Sequence, residues 1–383
     1  MASRLAAGIA AVFLLALSAP PSAALGAPSH VRAEHATPIG GPLLGSSGVV
    51  VQPSAGAPPL PAPSQLPAAS WLVANLTTGE VLAAKAPHAK FLPASTLKML
   101  TAVTLIPRLD PHAMFPISYR AAVVDGTRAG LSEGKRYQIS TLFQCMLEMS
   151  ANDAAEALAQ AYGSVKNTLR AMNIEAWYLQ ANDTHADTPS GLDGPGETTS
   201  AYDLALIAQA AFKIPAFRHY ITQASSVIPA AHHRHFQIQS HNDLLTTYRG
   251  DIGGKNGYTV AAQATYVGAA RRHGQTILVS LMHGYPDWAP MARALLNWGF
   301  QANGKVTPVG QLVQPLPPKQ PVTPKASTVA QTSVADAGTP HKRRIGPLVE
   351  TLAVMVTAFV AGMTAVRRMW PRRGSSRLKL PRI

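Results

Sequence analysis

The spacing of apolar positions changes along the chain, and each change marks an element. Between Ser70 and Pro87 the run SWLVANLTTGEVLAAKAP sets two short apolar stretches around Thr77-Thr78-Gly79, the pattern of a β-hairpin. After Pro93, apolar residues at Leu97, Leu100, Val103 and Ile106 recur at a helical period, which predicts a helix whose apolar face continues past Lys98. The same period returns in TLFQCMLEM, with Ser140 as the expected N-cap. It returns again in AYDLALIAQAAFK, capped by Thr199 or Ser200 and stopped before Pro215. HFQIQS, QATYVGAARR and TILVSLMHG read as strands, the last two joined by a turn at His273-Gly274, and MARALLNWGF reads as a closing helix. Strands at both ends with helices between them predict an α+β fold. One antiparallel sheet is built from N- and C-terminal strands and flanked by helices, with an all-helical subdomain inserted in the middle.

The ends of the chain follow other rules. Residues 1–27 hold Arg4, an apolar run from Leu5 to Leu17 and then small residues, which reads as a secretory signal peptide. Residues 28–65 are rich in Pro, Gly, Ser and Ala and are expected to be a linker, because they offer too little apolar surface to fold. The folded domain is assigned to 66–304, and residues 305–344, with PLPPKQPVTPK, to a Pro-rich stalk. The segment 345–366 is apolar apart from Glu350 and long enough for a transmembrane helix. Three cations precede it and seven follow in the basic tail 367–383, which predicts a cytoplasmic tail. The expected location is therefore the cell membrane, single-pass, with the folded domain on the extracytoplasmic side and lipid as a partner of the C-terminal helix.

A net charge of +14 raises the question of nucleic acid. Between Gln65 and Gly304, however, 18 Lys and Arg face 16 Asp and Glu, so the excess sits in the tails. A basic juxtamembrane tail fits topology and anionic lipid, and no nucleic-acid partner is expected. Cys145 is the single cysteine, so no intramolecular disulfide exists. Its place among apolar residues at helical spacing reads as a small buried side chain.

Chemistry enters with three Ser-x-x-Lys matches: Ser95 to Lys98, Ser132 to Lys135 and Ser376 to Lys379. Ser132 lies in a polar, Gly-punctuated stretch and Ser376 in the basic tail. Only Ser95 precedes a periodic helix, which puts Lys98 one turn along on the same face. Two further triplets follow in order: Ser150-Ala151-Asn152 at the junction of two helical runs, and Lys255-Asn256-Gly257 just before the strand QATYVGAARR. Ser-x-x-Lys, Ser-x-Asn and Lys-x-Gly in that order match the signature of penicillin-recognising serine enzymes.

Residues 68–303 resemble the low-molecular-mass penicillin-binding proteins of the D-alanyl-D-alanine carboxypeptidase type. The likeness extends to LPASTLKMLTA, SANDAAEALA, NDTHADTPSGLD, TSAYDLALIAQA and HNDLL. It implies the sheet-plus-helices fold shared with serine β-lactamases and needs no metal or organic cofactor. The implied partners are peptidoglycan stem peptides ending in D-Ala-D-Ala, and β-lactam antibiotics that copy that end.

In this reading Ser95 is the nucleophile and Lys98, kept neutral by burial and a nearby Lys255, is its base. Ser150 relays a proton and Asn152 orients Lys98 and the substrate. The main-chain N–H groups of Ser95 and Tyr258 hold the oxyanion. Lys255, Asn256, Gly257, Tyr258 and Thr259 form the substrate-binding strand, with Lys255, Asn256 and Thr259 on the terminal carboxylate. Two departures from the family stand out: Asn256 replaces the usual Thr, and a stalk with a spanning segment replaces a small β-rich domain. A β-lactamase would need a carboxylate to activate water, but Glu156, Glu175 and Glu197 lack the Glu-x-x-Leu-Asn context. A non-catalytic wall-binding protein would have no use for the intact Ser95, Lys98, Ser150, Asn152 and Lys255 set. His232, His233 and His235 in AAHHRHFQIQS read as a solvated strand edge rather than a metal site.

Overall fold

Asn75 closes the first hairpin by accepting from the Thr77 N–H at 2.8 Å, and Gly79, at φ 84°, turns the chain back. The hairpin is part of a computed structural model that describes residues 37–229 and 235–317. Its first half runs β1 (Val49–Pro53), β2 (Ala68–Asn75), β3 (Glu80–Lys85), α1 (Lys98–Leu105), β4 (Met114–Pro116), α2 (Tyr119–Ala122) and β5 (Arg136–Gln138). Then come α3 (Ile139–Glu148), α4 (Asn152–Ala161), α5 (Val165–Tyr178), α6 (Ala201–Ala211), α7 (Pro215–Ile221), β6 (Ser225–Pro229), β7 (His235–Gln239) and α8 (Leu244–Thr247). The chain closes with β8 (Asp251–Thr259), β9 (Gln263–Arg272), β10 (Gln275–Gly284), α9 (Ala289–Ala302), β11 (Val306–Thr307) and β12 (Gly310–Gln311).

The main sheet is antiparallel, in the order β11-β1-β3-β2-β10-β9-β8, with β12 also on β3. Both faces are covered, and the strand period shows it. On β2, Leu72 and Ala74 point into the helical core, whereas Trp71 and Val73 meet Leu295, Leu296 and Trp298 of α9 on the other face. On β10, Leu278 and Met282 take the first face and Ile277, Val279 and Leu281 the second. Between β3 and β8 the inserted helices gather around α1, every residue of which is buried. That insertion also carries two small hairpins, β4–β5 and β6–β7, so HFQIQS pairs with β6 and stays outside the main sheet.

Several expectations change. Residues 37–65 are not a free linker, because β1 pairs with β3 and Leu44 is fully buried. A segment too poor in apolar residues to fold alone still docks as an edge strand on an existing sheet. The same holds after Gly304, where β11 pairs with β1, β12 pairs with β3, and Val309 and Leu312 are buried. The sheet therefore begins before Leu66 and ends after Gly304. Ser140 does not cap α3, which starts at Ile139 with Gln138 in the cap position and no side-chain cap bond. Ser200, not Thr199, caps α6, its Oγ accepting from Asp203 N at 3.1 Å.

The N-terminal end of the described chain is tied down by His88. Its Nδ1 lies 2.8 Å from Asp183 Oδ2 and its Nε2 3.0 Å from the carbonyl of Ile39. Burial alone would depress this imidazole, but the Asp183 and Ile39 bonds raise it above its ordinary value. His88, Asp183 and Asp203 have the side chains of a metal cluster. Asp183 Oδ2 is engaged by His88, however, and Asp203 Oδ2 already accepts from Asp183 N and Thr184 Oγ1. Cys145 is buried, and burial pushes its thiol up, as expected of a packing residue. The signal peptide, the segment 345–366, the basic tail, Ser376, His232 and His233 lie outside the described residues. His235 is exposed on β7. No helix among the described residues is long and apolar enough to cross a membrane.

Candidate active site

Ser95 sits in a single 3₁₀ turn, Ala94–Leu97, that runs directly into α1, so Lys98 is the first residue of the helix proper. The turn is fixed from below: the Pro93 carbonyl accepts from Thr96 Oγ1 at 2.6 Å and from Thr265 Oγ1 of β9 at 2.8 Å. Ala94 holds the left-handed region at φ 48°, an unfavourable conformation for a residue with a Cβ. Ser95 is half-buried and Lys98 completely buried.

The Lys98 side-chain nitrogen has three hydrogen-bond neighbours among the described residues: Ser95 Oγ at 2.9 Å, Asn152 Oδ1 at 2.7 Å and the Ser190 carbonyl at 2.7 Å. The last two can only accept. A neutral amine gives its two N–H bonds to them and keeps its lone pair for the one neighbour that carries a proton, the Ser95 hydroxyl. Burial, and after it the charge of Lys255, hold Lys98 well below the usual lysine range. Lys255, on β8, is also buried, and burial brings it down to about 7.

Ser150 and Asn152 come from the joint between α3 and α4. Ser150 adopts φ 65° and makes the break, and Asn152 opens α4. Asn152 is anchored beyond Lys98: its N–H donates to Thr127 O and its Nδ2 to Asp125 O, each at 2.7 Å. Asp153, next to it, accepts from Ala129 N, Gly130 N and Leu131 N at 2.9–3.0 Å. The loop 125–131 is thus pinned to the start of α4 as one wall of the site.

The opposite wall is β8. Gly257 has no side chain for a reason: a Cβ there would lie 2.5 Å from Ser95 N. Its absence lets the β8 main chain approach the Ser95 amide. Lys255 Nζ donates to Asn256 O at 2.7 Å and lies 3.4 Å from Asn256 Oδ1, which leaves the Asn256 amide hydrogens for a ligand. Tyr258 is exposed at the rim. Thr259 differs from expectation, because its hydroxyl proton is committed to Asp193 Oδ1 at 2.7 Å rather than kept for a carboxylate.

Three site residues were missed in the sequence, and a fourth, Glu197, was weighed only as a base for water. Ser190 contributes only its carbonyl, a group every residue has. Asp153 and Asp193 act through loop contacts that no spacing encodes. Glu197 lies under the Ser190 loop and accepts from Asp187 N at 3.2 Å and from Thr188 N at 2.9 Å, with Thr188 Oγ1 also against it at 3.3 Å. Thr188 Oγ1 in turn accepts from Gly191 N at 2.9 Å. Burial pushes the Glu197 carboxyl up to about 8. The other two glutamates weighed for water activation are engaged elsewhere, Glu156 with Arg120 at 2.7 Å and Glu175 with Arg108 at 2.9 Å.

A family model described as D-alanyl-D-alanine carboxypeptidase matches residues 56–284, more than half of the chain. The chain belongs to that family. D-alanyl-D-alanine carboxypeptidase DacB2 of Mycobacterium tuberculosis is 37% identical over 269 residues, spanning 68% of this chain and 90% of the relative. DacD of Escherichia coli is 30% identical and covers 63% of this chain and 65% of its own. Among solved structures, a D-alanyl-D-alanine carboxypeptidase from M. tuberculosis aligns with a TM-score of 0.64 at 37% identity, over 68% of this chain and all of the other. A Streptomyces DD-transpeptidase aligns at 0.59 with 27% identity, over 63% and 99%. The three triplets that meet around Lys98 thus lie inside the region matched by the carboxypeptidase family.

Proposed function

We propose that this carboxypeptidase removes the terminal D-alanine from peptidoglycan stem peptides through an acyl-enzyme on Ser95. The observation that carries the proposal is the set of three contacts around Lys98 Nζ, which leaves only the Ser95 hydroxyl able to donate to the amine. As Lys98 takes that proton, Ser95 Oγ bonds to the carbonyl carbon between the two D-alanines. The carbonyl oxygen becomes an oxyanion held by the Ser95 and Tyr258 N–H groups. The C–N bond then breaks, and Ser150 passes the proton from Lys98 to the departing amine. Water, deprotonated by the same base, cleaves the ester and frees Ser95.

Lys255 and Asn256 bind the terminal carboxylate, which restricts the enzyme to free C-termini. A β-lactam carries the same carboxylate and a strained amide, acylates Ser95 and has no departing D-alanine to vacate the cleft. The apolar segment 345–366 and the basic tail support a reading in which the domain is tethered to the outer face of the cell membrane beside its substrate.

Peptide mapping after fluorescent penicillin treatment tests the assignment. The adduct is expected on Ser95, absent in Ser95→Ala, and formed about a thousandfold more slowly in Lys98→Ala, the scale of losing a general base. An adduct on Ser132, or labelling of Ser95→Ala at the wild-type rate, overturns it. Release of D-alanine from a pentapeptide by wild type, but not by Ser95→Ala, checks the reaction itself.

A further inference from the structure

A separate cavity of 730 Å³ lies between the end of α6, α7, the β2–β3 turn and the adjoining ends of β8, β9 and β10. Thr265, whose hydroxyl supports the Ser95 turn, and Arg271, which lines this cavity, are six residues apart on β9. At 3.3 Å per residue that separates them by about 20 Å, so the cavity is not an extension of the candidate active site.

Its rim is cationic. Lys213, Arg218 and Arg271 line it with His219 beside them, all exposed, and no Asp or Glu does. None of the four enters an ion pair among the described residues. Among the described residues, Lys213 Nζ reaches only Gln314 Oε1, at 3.3 Å, and Arg218 Nη1 only the Phe212 carbonyl, at 2.7 Å. The Arg271 guanidinium makes no hydrogen bond among the described residues. The carboxylates that flank the lining in sequence pair with none of the four: Glu80 accepts from Thr78 Oγ1 beside the cavity, and Asp251 accepts from Asn242 and from Gly253 N. Like charges gathered around one cavity repel, and no carboxylate among the described residues forms an ion pair with them. The floor is different: Leu76, Phe212 and Ile252 line it with apolar surface.

We propose that this cleft binds a phosphodiester-linked polyol or sugar chain, its phosphates on Arg218, Arg271 and Lys213 and its uncharged units on the apolar floor. Each guanidinium fork can take a pair of phosphate oxygens, and a phosphodiester chain repeats one such anion per unit, so that several cations are met along one ligand while its uncharged units lie on apolar surface. A chain fits the site better than a lipid surface does. The cleft is concave, and none of the exposed large apolar side chains among the described residues lines it, so a bilayer finds nothing there to insert. The site is independent of acyl transfer at Ser95.

The test titrates the detergent-solubilised full-length chain with a poly(glycerol phosphate) oligomer of defined length, by calorimetry at two salt concentrations. Parallel arms use inorganic phosphate and phosphatidylglycerol doped into the micelles. The expected result is saturable binding of the oligomer that weakens with salt, is retained in Ser95→Ala, and falls about tenfold or more in Arg218→Gln/Arg271→Gln, two charge-assisted contacts being removed. D-alanine release by that double variant stays at the wild-type rate, which shows that it is folded. No oligomer binding, equal binding by the double variant, binding lost in Ser95→Ala, or binding of phosphatidylglycerol alone overturns the proposal.

Discussion

A buried amine beside a hydroxyl acts as a base only if something prevents it from being an ammonium ion. Around Lys98 that is done by full burial and by a second buried lysine, while two acceptors take the N–H bonds of the neutral amine and turn its lone pair toward Ser95. The second lysine makes the site sensitive to pH from both sides. Lys98 must be neutral to take the Ser95 proton, so activity rises with pH through its lowered pKa. Lys255 must be charged to hold a carboxylate, so kcat/KM falls as pH passes its value of about 7. Lys255→Arg keeps a charge that does not titrate. Its expected signature is a lower kcat/KM whose alkaline limb has moved up, whereas an unmoved limb assigns the falling side to another group. Glu197 gives a second pH test. Its folded value of about 8 lies above the ordinary carboxyl value, so the native state holds the proton longer than the unfolded chain. Stability is then full at low pH and is lost as pH rises toward about 8. Glu197→Gln removes this dependence. Thermal melts of the variant at pH 5 and pH 8 should differ less than those of wild type, and an equal difference means that Glu197 is not the titrating group.

At the scale of elements, the sequence spoke clearly wherever a local rule decides. The β2–β3 hairpin, the start of α6 at Ser200 and the burial of α1 all follow from period, turn chemistry or a cap within a few residues. Ser140 misled because a polar residue ahead of an apolar run looks like a cap, while the chain entered α3 directly from β5. The site was legible as three triplets, since the side chains that do chemistry are few and specific. Its support was not: Ser190 and the loop 125–131 act through the main chain, and the Asp193–Thr259 pair joins residues 66 apart in sequence. Gly257 lies on both sides of this divide, being legible as part of a motif and explained only by the fold. Adding one carbon there pushes β8 away from Ser95 N, where the oxyanion would sit. Gly257→Ala should therefore slow penicillin acylation about a hundredfold or more, the cost of losing one oxyanion donor. The melting temperature gives the control: unchanged acylation in a normally folded Gly257→Ala protein argues that β8 does not form the oxyanion hole.

At the scale of the whole molecule, the two ends of the described chain complete one another, and composition concealed it. β1 is held between β3 and β11, Gln311 N donates to Gly40 O, and Tyr202 Oη donates to Gln311 O. Pro- and Gly-rich segments at both ends looked unable to fold because each lacks a core of its own. Each instead adds a few side chains to the core beside it. Leu44, Val306, Val309 and Leu312 are all buried outside 66–304. Burying one such side chain contributes about 1.5–3 kcal/mol. Losing four of them approaches the total stability of an ordinary domain, about 5–15 kcal/mol. The loss also exposes the edge of β3, whose unpaired N–H and C=O groups then become a template for aggregation. A chain of residues 66–304, the limits suggested by composition, should therefore aggregate or melt more than about 10 °C below a chain of residues 37–317, a shift set by a few kcal/mol at this size. Both retain all three triplets, so a difference in penicillin labelling between them would follow stability and not site chemistry. Equal melting temperatures would mean that the docked ends add nothing, and that the catalytic core is bounded where the composition changes.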